Sequence, residues 1–192
     1  EEATKDNILK GFSDILTQAK EKDRVVVFYA GHGETYKLPS GGDMGYLIPV
    51  DGNLDNLYLS SIPMKSVYDI ADMSYAKHIL YLVDACYGGL TLATTRGLKK
   101  DITPVYLKKM TSERGRQVIT AGGKDEQVIE KAEWGHSAFT KSLLKGLGDG
   151  LADENDDGTI TADELGGFIK NRVVVDVDGA HTPQKGRIGS DM

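Results

Sequence analysis

His78-Ile-Leu-Tyr-Leu-Val-Asp-Ala-Cys86-Tyr-Gly-Gly89 is an unbroken apolar run that ends in an aspartate, a cysteine and a glycine turn. Such a run, with no polar alternation, marks a strand buried on both faces of a sheet. Cys86 is the only cysteine in the 192-residue chain. A lone thiol forms no intrachain disulfide and no cysteine metal site, which leaves a buried filler or a nucleophile. A second segment has the same shape and ends in histidine: Arg24-Val-Val-Val-Phe-Tyr-Ala-Gly-His32-Gly33. Two buried strands, one delivering Cys and the other His just past its end, suit cysteine catalysis. The imidazole can take the thiol's proton and later protonate a leaving amine. Gly31, Gly33, Gly88 and Gly89 let a peptide backbone come close and leave N–H groups exposed for an oxyanion.

Working outward, residues 25–30, 79–83 and 117–121 read as buried strands, with a short extended segment over 46–50. Helical spacing predicts helices over 5–21, with Thr4 as N-cap, and over 63–76, 136–147 and 162–172. Residues 31–45 read as a glycine-rich loop, 173–177 as one more strand, and the tail as polar. Residues 88–116 carry no period and hold Arg96, Lys99, Lys100, Lys108, Lys109, Arg114 and Arg116. Strands alternating with helices predict an α/β fold, with a mostly parallel central sheet between helical layers. In such sheets the chemistry sits at the C-terminal strand ends, where His32 and Cys86 fall.

Bulk properties narrow the function. The net charge is −6, from 23 basic and 29 acidic residues, and no basic stripe exists, so nucleic acid is not an expected partner. No stretch reaches the ~20 apolar residues that cross a bilayer, and no signal peptide is visible. An unpaired cysteine suits a reducing, cytoplasmic compartment.

The motifs Tyr29-Ala-Gly-His-Gly33 and Asp84-Ala-Cys-Tyr-Gly88 resemble the two active-site signatures of caspase-like cysteine peptidases, in particular the metacaspase and bacterial branch. His32 lies 54 positions before Cys86, near the family spacing, and Ala85, Cys86 and Gly88 match the caspase pattern, while Asp84 and Tyr87 depart from it. Trp134-Gly-His-Ser-Ala-Phe-Thr140 is similar to the family segment that opens the last large helix. The resemblance implies a caspase-like three-layer sandwich over the whole chain: a large-subunit-like part (1–90), a basic linker (91–116) and a small-subunit-like part (117–192). It implies Cys86 as nucleophile, His32 as general base and acid, and the Gly33 and Cys86 amides as oxyanion hole. The resembled fold opens with two strands ahead of the helix on which this chain starts. A further segment preceding Glu1, or another chain, is therefore expected to complete the sheet.

The substrate follows from Asp84. Alternate residues of a strand face the same side, so Asp84 and Cys86 share one cleft. In the resembled branch this aspartate lines the S1 pocket, and a carboxylate pairs with a guanidinium. The expectation is an endopeptidase cleaving proteins after Arg or Lys; a strand-end cap or an ion-pair partner is the other reading of Asp84. The branch often has Ser where this chain has Ala30. An Arg/Lys-specific peptidase would find sites in its own basic linker, and Arg96 and Lys100 are the candidates for self-cleavage.

Asp153-Glu-Asn155-Asp-Asp157-Gly158-Thr159-Ile-Thr161-Ala-Asp-Glu164 fits the EF-hand loop pattern. Calcium would be held by Asp153, Asn155, Asp157, the Thr159 carbonyl and Glu164. The same string also reads as a turn followed by a Thr161/Glu164 capping box. No cofactor is needed for the peptidase chemistry itself; calcium, where bound, would modulate it. Two other functions fit parts of the sequence: a catalytically silent caspase-like regulatory module, and a calcium-binding module in which Cys86 is incidental.

Overall fold

The computed structural model describes residues 2–85, 112–123 and 126–188. Helix α1 (Lys5–Gln18) is N-capped by Thr4, whose side chain accepts from the Asn7 amide. Strand β1 (Arg24–Ala30) leads into a hairpin of β2 (His32–Lys37) and β3 (Asp43–Ile48), after which come the short α2 (Leu57–Ser60), β4 (Ile62–Pro63) and α3 (Met64–Asp72). Strands β5 (His78–Asp84) and β6 (Gly115–Thr120) follow, then β7 (Glu130–Lys131), β8 (His136–Ser137), α4 (Ala138–Gly148), α5 (Ala162–Asp176) and β9 (Gln184–Arg187).

The main sheet has the order β1-β5-β6-β9, with β1, β5 and β6 parallel and β9 antiparallel. Alternation along the buried strands divides the core in two. Ile79, Tyr81 and Val83 pack on one face with Leu16 of α1 and Val67 and Ala71 of α3. Leu82 and Ile119 pack on the other with Phe139 and Leu143 of α4 and Leu165, Ile169 and Val173 of α5. The molecule is therefore a mostly parallel sheet between two helical layers, as the apolar runs predict. No described helix is long and apolar enough to cross a membrane.

Four expectations change. The expected 31–45 loop is a hairpin, turned by Gly41 and Gly42 at φ 91° and 90°, a region glycine alone enters cheaply. The expected strand at 173–177 is the end of α5. Its β-branched run is carried because Val173 and Val177, one turn apart, both enter the core while Val175 stays out. The polar tail contains β9, an edge strand whose partner is β6. Arg116, counted with the basic linker, is buried at the start of β6 and donates to the carbonyls of Lys77, Ala71 and Ser74.

Among the described residues, nothing pairs with the outer edge of β1. Val26 and Phe28 on that strand are 61% and 49% exposed, although they belong to an apolar run.

Candidate active site

The parallel register of β1 and β5 sets Ala30 beside Asp84, and the Gly31 amide donates to the Asp84 carbonyl at 3.2 Å. The two strands thus end level. Past Gly31 the chain turns at once into β2, whose first residue is His32. A Cβ on Gly31 would come within 2.8 Å of the Tyr29 hydroxyl, so only glycine makes this turn without displacing that ring. The Tyr29 hydroxyl shares its proton between the carbonyls of His32 and Ile48, at 3.0 and 2.9 Å. His32 pairs with Ile48 across the hairpin, so one phenol ties both sides of the ladder at the histidine. Burial pushes this phenol up to about 12, which keeps it a donor throughout the neutral range. The His32 residue is exposed, as a residue that must meet solvent-borne substrate has to be.

Asp84 is only 8% exposed. Its Oδ2 accepts two hydroxyl hydrogen bonds, from Ser137 Oγ and Thr140 Oγ1, both at 2.5 Å. Ser137 is the N-cap of α4, and its Oγ also accepts from the Thr140 amide at 3.0 Å. The serine therefore starts the helix and fastens the helix to the end of β5. Oδ1 of Asp84 is buried and accepts no hydrogen bond among the described residues. Asp84 lines a pocket of about 580 Å³, together with Phe28, Ala30, Glu130, Lys131, His136, Ser137 and Thr140. Two ammonium groups, Lys131 Nζ and Lys141 Nζ, lie over the Trp134 ring, each 4.4 Å from its centre. Lys141 Nζ is also 3.0 Å from Asp176. Both lysines are thereby engaged at the indole face, and Lys131 also lines the pocket with Asp84.

Of the residues picked from sequence, the structure brings His32 and Asp84 to the same end of the sheet. Gly33 lies next in β2, opposite Leu47. Cys86, Arg96 and Lys100 lie outside the described residues. His78 is half-buried in β5, and His136 is exposed at the pocket. His181 is fully buried, and its Nδ1–H donates to the Ala121 carbonyl at 2.9 Å.

The 153–164 segment links α4 to α5 and is held by its own backbone. Asp153 accepts from the Asp157 and Gly158 amides, Asn155 from Asp157, and Asp157 from Thr159. Glu164 Oε2 accepts from both the amide and the hydroxyl of Thr161, completing the capping box. Among the described residues, no group of three or more His, Cys, Asp or Glu side chains is placed to hold a metal ion.

Sequence reasoning quoted Ser137 and Thr140 but gave them no role. Their signal was an N-cap serine with a second hydroxyl three residues on, one helical turn along the same face.

The family model of the Caspase domain matches residues 1–163. The chain belongs to the caspase-domain family. This assigns the caspase domain, at family level, to peptidase-like hydrolases with a cysteine-peptidase fold. Among solved structures it is similar to protein GSU0716 from Geobacter sulfurreducens, with a TM-score of 0.62 and 14% identity. That match covers 99% of this chain and 75% of the other, and it bears on the fold alone. No curated protein sequence matches the chain.

Proposed function

We propose that this caspase domain is a cysteine endopeptidase that cleaves proteins after Arg or Lys. The observation that carries the reading is Asp84: a nearly buried carboxylate lining a pocket, with one oxygen lacking a partner among the described residues. A buried acceptor left unpaired costs ~1–3 kcal/mol, and a cationic side chain entering the pocket would remove that cost. His32 begins two residues past Ala30, the register partner of Asp84, and Cys86 follows Asp84 at the same interval in sequence.

In this mechanism the P1 cation is held at Asp84, which brings the scissile carbonyl to the ends of β1 and β5. His32 takes the Cys86 proton, and the thiolate attacks the carbonyl carbon. The Gly33 and Cys86 amides receive the oxyanion. The tetrahedral species collapses, His32 protonates the leaving amine, and water then releases the acyl group from sulfur. An arginyl chloromethylketone tests the reading. Alkylation of Cys86, read by peptide mass spectrometry and blocked by His32→Ala, is the expected result. An aspartyl reagent reacting faster would overturn the specificity.

The same reading has the outer edge of β1 covered by a further strand, from another segment of the protein or another chain. Exposed Val26 and Phe28 are the residues such a cover would bury. Slow hydrogen exchange along that edge in the intact protein is expected; fast exchange there contradicts it.

A further inference from the structure

We propose that Ser137 and Thr140 are positioning residues that set the balance between Lys and Arg at P1, by filling one oxygen of Asp84. The inference rests on the reading that Asp84 receives the P1 cation. A carboxylate offers about four lone-pair sites, two on each oxygen. Both sites on Oδ2 are taken by the two hydroxyls. The Ser137 donor is fixed by a second hydrogen bond. The Ser137 oxygen is engaged by the Thr140 amide as the helix cap, which leaves its proton for Asp84. Thr140 sits one turn along, on the same side of α4. What remains on the carboxylate is Oδ1, buried and without a partner among the described residues.

A guanidinium draws its advantage over an ammonium from bridging two oxygens of one carboxylate. An ammonium is a point charge and needs only one. With Oδ2 filled, Arg loses the second half of its fork, and Lys loses nothing. The neighbouring cations have other partners: Lys131 and Lys141 lie over the Trp134 ring, and Lys141 is also paired with Asp176.

The test compares kcat/KM on two peptides that differ only in Arg or Lys at P1, for the wild type, Thr140→Val and Thr140→Ser. The wild type should treat the two within about fivefold. Thr140→Val keeps the shape but opens a lone pair on Oδ2, so the Arg:Lys ratio should rise about tenfold, mainly through KM. Thr140→Ser restores the hydroxyl and should restore the wild-type ratio. Circular dichroism checks folding, and Thr140→Ala replaces the valine variant if that one unfolds. An unchanged ratio in the valine variant overturns the proposal, as does an equal loss on both peptides or a wild type that favours Arg a hundredfold. A wild type that cleaves neither peptide, or prefers Asp, instead overturns the reading beneath it, and the two failures are thus told apart.

Discussion

The carboxylate of Asp84 takes its hydrogen bonds from hydroxyls 53 and 56 residues away in sequence, whereas those of the loop between α4 and α5 take theirs from backbone amides at most five residues away. The loop's acceptors are spent on local turn geometry, which is what Asp and Asn side chains do in turns. At Asp84 the partners come from another element and fill one oxygen, while the other is buried and accepts no hydrogen bond among the described residues. Asp84 drew attention at the end of an apolar run, the loop as a string of acidic and polar residues. At Asp84 the surroundings leave one oxygen without a partner among the described residues.

The sharpest way to break this contrast is at Asp84 itself. Asp84→Ala should lower kcat/KM on Arg and Lys peptides by about a hundredfold or more, the scale of a lost charge-assisted hydrogen bond in a desolvated pocket. A loss under threefold would put Asp84 among the structural caps. Next comes Ser137→Ala, which removes both the helix cap and one Asp84 donor. It should cost about 1 kcal/mol of stability in chemical denaturation from the cap alone, and activity in addition. Ser137→Thr should recover most of both, because it keeps the hydroxyl. If Ser137→Ala lowered stability but left peptide kinetics untouched, the link between α4 and the pocket would fall.

The loop should respond less. Glu164→Gln retains an acceptor for the Thr161 amide and hydroxyl, so its stability should stay within about 0.5 kcal/mol and its peptide kinetics should not change. On this account calcium leaves cleavage unaltered. Calcium activation that Glu164→Gln abolished would make the loop a working site and erase the contrast. Smaller still is the effect expected from the linker. Incubation should cut the wild type after Arg96 or Lys100, seen as two fragments by intact mass and absent in Cys86→Ala. Cutting there should alter peptide kinetics only modestly, because Asp84, Ser137 and Thr140 all lie outside that segment. Persistence of the cuts in Cys86→Ala would assign them to another peptidase.

How far the sequence could be read depended on which interactions wrote the signal. Strands β1 and β5 were legible as continuous apolar runs, although only β5 is buried on both faces among the described residues, and their ends located His32 and Asp84. The β2–β3 hairpin was not, because β2 is polar and mostly exposed and its turn glycines read as loop. The valine run in α5 misled because β-branched residues favour strands locally, while Val173 and Val177 bury themselves in the core at helical spacing. Strand β9 carries no hydrophobic period; it is a strand because β6 offers it an edge. The clamp on Asp84 depends on a contact across more than fifty residues, and only the folded chain brings those hydroxyls to that carboxylate.

The most direct test of the central claim is cleavage of one peptide series carrying Arg, Lys or Asp at P1 by the wild type and by Asp84→Ala. The account predicts efficient cleavage after Arg and Lys, none after Asp, and loss of the basic-residue activity in the variant. Preference for Asp, or a variant that cuts after Arg as well as the wild type, would contradict it.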